Sequence, residues 1–219
     1  MPRQLQSELL DTLPPDHPDA LHSRRDLRLI NLVMGNHRWI VRTVHRLLRD
    51  GERVLEIGAG TGELVLRLAA SGRLVAGLDF SPRPTDWPRE REWHHANLLT
   101  FAGYARFEAV IGNLIFHHFS PTELAALGRT LGESVRVIVA CEPARQKISQ
   151  RLFAFIAPLF RASHVTRHDA RVSIAAGFRA DELPLALGLD PAAWAWQCRT
   201  TSLGAYHMVA SRRAAPFTP

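Results

Sequence analysis

The spacing of apolar and polar positions changes character near residue 51. Before it the period is helical: Leu21, Leu27, Ile30, Leu32 and Val33 follow a stretch broken by Pro14, Pro15 and Pro18, and Gly35 is a stop signal. Trp39, Ile40, Val44, Leu47 and Leu48 resume that spacing as far as the turn dipeptide Asp50-Gly51. After it, short apolar runs alternate with helical stretches. RVLEI, RLVAGLD, FEAVIGN and VRVIVACE read as strands, with another short one around residues 92–95. GELVLRLAAS reads as a helix, and so does SPTELAALGRTL, which opens with Ser120 as N-cap, Pro121 at the first helical position and Glu123 at the capping-box position. Strands alternating with helices predict an α/β fold, a parallel sheet covered by helices on both faces. Downstream, residues 144–160 predict a helix, HVTRHDARVSIAAGF an irregular connection, RADELPLALG a short helix, and WAWQCRTTSLGAYHMVAS two strands joined by a turn.

Composition narrows the class without changing this outline. A chain of 219 residues that is 46% hydrophobic and 22% charged falls in the range of globular proteins. It is long enough to bury roughly 70% of the surface its unfolded form exposes, so neither metal nor disulfide is needed to fold it. Cys141 and Cys198 lie in apolar contexts and read as inert thiols of a reducing compartment. No run approaches the roughly 20 apolar residues of a membrane span, so no membrane association and a cytoplasmic location are expected. The net charge of +6 is almost all arginine, with Lys147 the only lysine, and it is scattered along the chain. Without a basic, aromatic-interleaved stretch, nucleic acid is not the expected partner.

The chemistry concentrates at VLEIGAGTGEL, where an apolar strand ends in glycines at every second position. Gly58 suits a tight turn, Gly60 a close approach of backbone to ligand, and Gly62 a helix that starts close to the strand. The pyrophosphate fingerprint G-x-G-x-x-G is not met, because the third glycine falls one place early and Glu63 stands where a phosphate would be repelled. Glu56 adds a second acid, and the pair suits a cationic ligand. Asp79 ends the second strand 79 − 58 = 21 residues after the first glycine, an interval at which an acid reaches ribose hydroxyls.

The segment Glu56-Ile57-Gly58-Ala59-Gly60-Thr61-Gly62 resembles motif I of the class I S-adenosylmethionine-dependent methyltransferases, and the resemblance runs from Val54 to about Glu142. It implies a doubly wound, mostly parallel seven-stranded Rossmann-like sheet, with residues 1–50 as a helical lid and 51–219 as the cofactor-binding domain. It also implies S-adenosylmethionine as cofactor, S-adenosylhomocysteine as product, and Asp79 on the ribose. Where the family places an acid against adenine this chain has His95-Ala96-Asn97-Leu98, so an amide takes that place. The cofactor set is then Glu56, Gly58, Ala59, Gly60, Thr61, Gly62, Asp79, Phe80, Asn97, Leu98 and Asn113. Asn113-Leu114-Ile115-Phe116 differs from the tetrad of the amide-methylating DNA enzymes.

Methyl transfer to a hydroxyl gains from a base, and histidine suits that role near neutral pH. His117 and His118 follow Asn113 in what reads as an extended loop, where neighbours point apart; each is either a base or a loop-stabilising side chain. His168 beside Asp169 is either an oriented base or part of a solvated loop. Glu142 and Arg145, after the fifth strand, either touch substrate or pair with each other, and Arg171 is a further candidate substrate contact. Trp39, Phe116, Phe119, Phe153, Phe155, Phe160 and Phe178 either line an apolar acceptor cavity or belong to the core. The spacing is not that of a zinc site, so no metal is expected. The expected enzyme, a monomer or homodimer, methylates a hydroxyl of a small phenolic, quinol or polyketide-like molecule. Alternatives are quinone-type C-methylation, a non-catalytic cofactor-binding module, and an NAD-dependent oxidoreductase.

Overall fold

Apolar runs long enough to be buried on both faces become strands, and the mixed segments between them become the helices that cover those faces. The computed structural model describes residues 2–14, 16–157 and 162–213. Along the chain run α1 (Pro18–Met34), α2 (Asn36–Leu47), β1 (Arg53–Ile57), α3 (Glu63–Ala70), β2 (Leu74–Asp79), β3 (Trp93–His95) and β4 (Ala109–Asn113). Then follow α4 (Pro121–Ser134), β5 (Val137–Pro143), α5 (Lys147–Ile156), α6 (His164–Ala176), α7 (Glu182–Ala186), β6 (Trp194–Thr200) and β7 (Ala205–Arg212). Short 3-10 turns include Leu10–Thr12 and Phe116–His118.

The seven strands form one sheet in the order β3-β2-β1-β4-β5-β7-β6. Pairing is parallel from β3 to β5, whereas β7 runs antiparallel to both β5 and β6. This is the predicted doubly wound sheet with one antiparallel hairpin. All seven residues of β5 are buried, while β6 at the edge alternates. On one face Leu55, Ile57, Val110 and Ile138 pack with Leu124, Leu127 and Leu131 of α4. On the other, Val54, Ile111, Val137 and Val139 meet Ile40 and Val44 of α2 and Leu64 and Leu68 of α3. The capping box forms: Ser120 Oγ accepts from the Glu123 N–H at 3.3 Å, and Glu123 accepts from the Ser120 N–H at 2.8 Å.

One expectation needs correction. Residues 164–176 are not an irregular connection but the helix α6, started by Ser163, whose Oγ accepts from the Thr166 N–H at 3.0 Å. Its buried positions include Val165, Thr166, Asp169, Val172 and Ala176. The spacing is helical, but Thr166 and Asp169 interrupt the apolar pattern that would reveal it. Of the aromatic set, Phe116 and Phe178 are core residues, Phe119 packs against that core, and Trp39 stacks on His207 at 3.8 Å, while Phe178 also lines a small pocket with Arg3 and Arg145. Phe160 and the side chain of Phe155 lie outside the described residues, as do residues 158–160 of the expected helix. Among the described residues no helix is long and apolar enough to cross a membrane.

Candidate active site

The strand order reverses at β1, with β2 on one side and β4 on the other, so a crevice opens beyond the carboxyl ends of β1 and β4. The loop after β1 carries Gly58, Gly60 and Gly62, all with positive φ. A Cβ on Gly62 would lie 2.0 Å from the ring of Trp87, and one on Gly58 would lie 2.6 Å from Ile115. One on Gly60 would meet nothing within 4 Å. The outer glycines therefore let protein pack against protein, and the middle one faces open space. Asp79 closes β2 with its carboxylate against this loop: Oδ2 accepts from the Gly60 N–H and Oδ1 from the Ser81 N–H, both at 2.7 Å. Ala59 is buried beside the loop, Thr61 and Phe80 are exposed, and Asn97, also exposed, accepts from the Leu99 N–H at 2.8 Å. Leu98 packs partly buried against the core.

Two buried acceptors at this edge have no donor among the described residues, Glu56 Oε2 and Asn113 Oδ1. Burial, reinforced by the neighbouring charge of Asp79, pushes the Glu56 carboxyl well above its ordinary pKa. Buried acceptors left without donors call for a partner, and the ammonium of S-adenosylmethionine offers the N–H donors they lack. With Asp79 held at the rim of the glycine loop and open space over Gly60, the residues present fit that cofactor.

Helix α1 crosses the same edge. Arg28 Nε lies 2.8 Å from Glu63 Oε1 at the start of α3, and three residues on, Asn31 Oδ1 accepts from Asn113 Nδ2 at 3.3 Å. Asn31 also accepts from the buried Asn36 at 3.0 Å. Neither Arg28 nor Asn31 is marked by local spacing, because Glu63 and Asn113 come from other parts of the chain.

The loop after β4 is held from below by Glu142. Its Oε1 accepts from the N–H groups of Ile115 and Phe116, both at 2.9 Å, and its Oε2 from His117 Nδ1 at 2.6 Å. His117 Nε2 faces Glu8 Oε1 at 3.3 Å. Burial disfavours a charge on His117, but the carboxylates of Glu142 and Glu8 outweigh it and raise its pKa to about 9. Both ring nitrogens of His117 thus face carboxylates, which sets it apart from an acceptor-facing base. His118 differs: burial and the charge of His117 lower its pKa, and its nitrogens lie 3.7 Å from Asp11 and 4.0 Å from Glu8. The two rings lie together, centroids 4.3 Å apart, because residues 116–118 form a 3-10 turn rather than an extended loop.

An N-terminal strap completes this side. Arg3 donates to the carbonyls of Ala176, His117 and Phe119 at 2.7–3.0 Å and covers the Phe178 ring. Glu8 accepts from Ser173 Oγ, and Asp169 accepts from the N–H groups of Leu9 and Leu10 at 2.7 and 3.0 Å. Asp169 therefore anchors the strap as well as meeting the half-exposed His168 at 3.0 Å. Arg145 is buried, donating to the Gly177 carbonyl and pairing with Glu182, and Arg171 is exposed on α6. Sequence reading singled out His117, His118, Glu142 and Asp169, but not Arg3, Glu8 or Asp11.

Residues 54–137 match the family model described as "Methyltransferase domain". A demethylmenaquinone methyltransferase of Mycobacterium sp. (strain KMS) is 30% identical over 213 residues, covering 86% of this chain and 90% of the relative. An uncharacterized methyltransferase of Staphylococcus carnosus (strain TM300) is 34% identical over 90 residues, 38% of this chain and 42% of the relative. Among solved structures, the plantazolicin methyltransferase BpumL in complex with SAH superposes with a TM-score of 0.73 at 10% identity, covering 94% of this chain and 93% of that one. Magnesium protoporphyrin IX methyltransferase (ChlM) from Synechocystis PCC 6803 with bound SAH does so with a TM-score of 0.52 at 17% identity, over 84% and 83%. The chain belongs to the class I S-adenosylmethionine-dependent methyltransferases.

Proposed function

We propose that the protein transfers a methyl group to a hydroxyl of a small apolar or aromatic molecule, in the manner of a phenol or quinol O-methyltransferase. The observation that carries this reading is the division of the crevice. Its β1–β2 side presents backbone and acids suited to the cofactor, and its β4–β5 side holds two histidines under a strap. When bound, S-adenosylmethionine supplies an activated methyl on a good leaving group. The chain's work is alignment, which contributes about 7–11 kcal/mol in well-oriented reactions. Asp79 and the backbone around Gly60 orient the ribose, and Glu56 with Asn113 receives the cationic end. Helix α1, tied down through Arg28 and Asn31, and the strap act as the lid that excludes water. The names of the menaquinone and natural-product relatives support a small-molecule acceptor. Among the described residues His118 has a partly exposed ring and no carboxylate within 3.5 Å, which supports putting the acceptor oxygen on its side.

Quinols screened with methyl-labelled cofactor, product position being read by mass spectrometry, test this reading. Label on oxygen is expected, label on ring carbon would replace O- with C-methylation, and no turnover despite S-adenosylhomocysteine binding would favour a binding module. His118→Ala is expected to abolish turnover and keep S-adenosylhomocysteine affinity within about twofold, whereas Asp79→Ala weakens that affinity about 30-fold, near 2 kcal/mol.

A further inference from the structure

We infer that Glu8, His117 and His118 form a binding site for one divalent transition-metal ion of the zinc class. One donor atom from each, a carboxylate oxygen and two imidazole nitrogens, lies within 4.8 Å of the others, so a small inward shift brings all three onto one ion. Two nitrogens and one oxygen are the donor types that borderline divalent ions take.

The surroundings of the cluster are what separate it from a chance meeting of polar side chains. A metal-binding histidine characteristically offers one nitrogen to the ion and donates from the other to a carboxylate, which fixes the tautomer and ring orientation. His117 has that arrangement. His117 points Nε2 at Glu8 Oε1 at 3.3 Å while its Nδ1 meets Glu142 Oε2 at 2.6 Å. His118 has Nε2 at 4.0 Å from the same Glu8 oxygen and Nδ1 at 3.7 Å from Asp11 Oδ2. The would-be ligand Glu8 is itself positioned, by Ser173 Oγ. Around two imidazoles stand three carboxylates, a concentration of negative charge that a dication offsets. His117 and Glu142 are buried and Glu8 is nearly so, whereas His118 keeps 28% of its side chain exposed. The site therefore has a rigid floor and an entry path.

Three protein ligands leave a coordination position for water or for an oxygen of a bound molecule. That this oxygen belongs to the methyl acceptor rests on the function proposed above; metal binding itself does not, and it is measured without any acceptor.

The experiment uses tag-free, chelator-treated protein titrated with Zn2+ by calorimetry and with Co2+ by visible absorption, each preparation first being shown to bind S-adenosylhomocysteine. The expected result is one equivalent of metal, with cobalt bands that disappear on adding Zn2+. Glu8→Gln and His118→Ala should each weaken binding at least about tenfold, while His168→Ala, whose ring lies outside the cluster, leaves it unchanged. Intact protein that binds S-adenosylhomocysteine but neither metal at 100 μM-scale concentrations, about the weakest affinity worth calling a site, would overturn the inference. So would metal binding that survives both Glu8→Gln and His118→Ala.

Discussion

The two sides of the crevice are built by opposite means. The β1–β2 side uses backbone: glycines with positive φ, one amide held by Asp79, and open space over Gly60. Its parts come from residues 56–62 and from Asp79. The β4–β5 side uses buried charge: Glu142 gathers three residues of one loop, and His117 bridges it to Glu8, 109 residues away in the chain. A ligand with a fixed shape can be met by backbone whose geometry is set by steric limits. A loop that must be held in one place over an otherwise open edge needs strong, directional contacts. A buried ion cluster supplies these, although its net contribution to stability is small compared with the cost of breaking it.

If that contrast is right, the largest effect comes from removing one charge on the second side. Glu142→Gln leaves His117 without its closest carboxylate and weakens the hold on the Ile115 and Phe116 amides. Urea denaturation should show a loss of about 3–5 kcal/mol. A loss below about 1 kcal/mol, the scale of an exposed ion pair, would mean the loop does not depend on this cluster. On the first side the damage is steric. Gly62→Ala must adopt φ +74 and place a methyl 2.0 Å from Trp87, and should cost about 2–3 kcal/mol of stability. Gly60→Ala, facing open space, should cost only about 1–2 kcal/mol of stability while weakening S-adenosylhomocysteine binding. Equal stability losses for the two alanines would break the distinction between packing and ligand-facing glycines.

The smallest effect is also the most pH-dependent. Burial raises the Glu56 pKa, so above the ordinary value near 4.5 the folded chain keeps a proton that the unfolded chain has released. Native stability therefore falls as pH climbs from about 4.5 toward the raised folded value. Glu56→Gln removes this slope, and its stability relative to the native chain should improve from pH 4 to pH 8. A constant difference across that range would show that Glu56 is ionised in the fold. The same substitution should weaken S-adenosylhomocysteine binding, since the ligand's ammonium loses its carboxylate.

Legibility followed the same division. The glycine spacing, Asp79 and the capping box at Ser120 lie within short windows, and all are found in the expected places on the sheet. His117 and His118 were visible as types, but not as a joined pair, because a 3-10 turn turned both rings to one side. Helix α6 was hidden because Thr166 and Asp169 occupy buried positions that a periodicity argument reserves for apolar residues. Glu8 and Arg3 carried no signal at all: a single acid or arginine in a polar, proline-broken segment looks like any solvated residue until its partners are in place.

What the sequence by itself determined is what local chemistry controls: which segments become strand or helix, where the chain must turn through positive φ, and which acid closes the second strand beside the glycine loop. Only the tertiary structure decided which charges meet. The contacts of Glu8 with His117 and Ser173, of Asp169 with Leu9 and Leu10, and of Arg28 with Glu63 join elements brought together by burial of the two core layers. An ion pair works over a few ångströms in space and is indifferent to separation along the chain, so no spacing in the sequence records it.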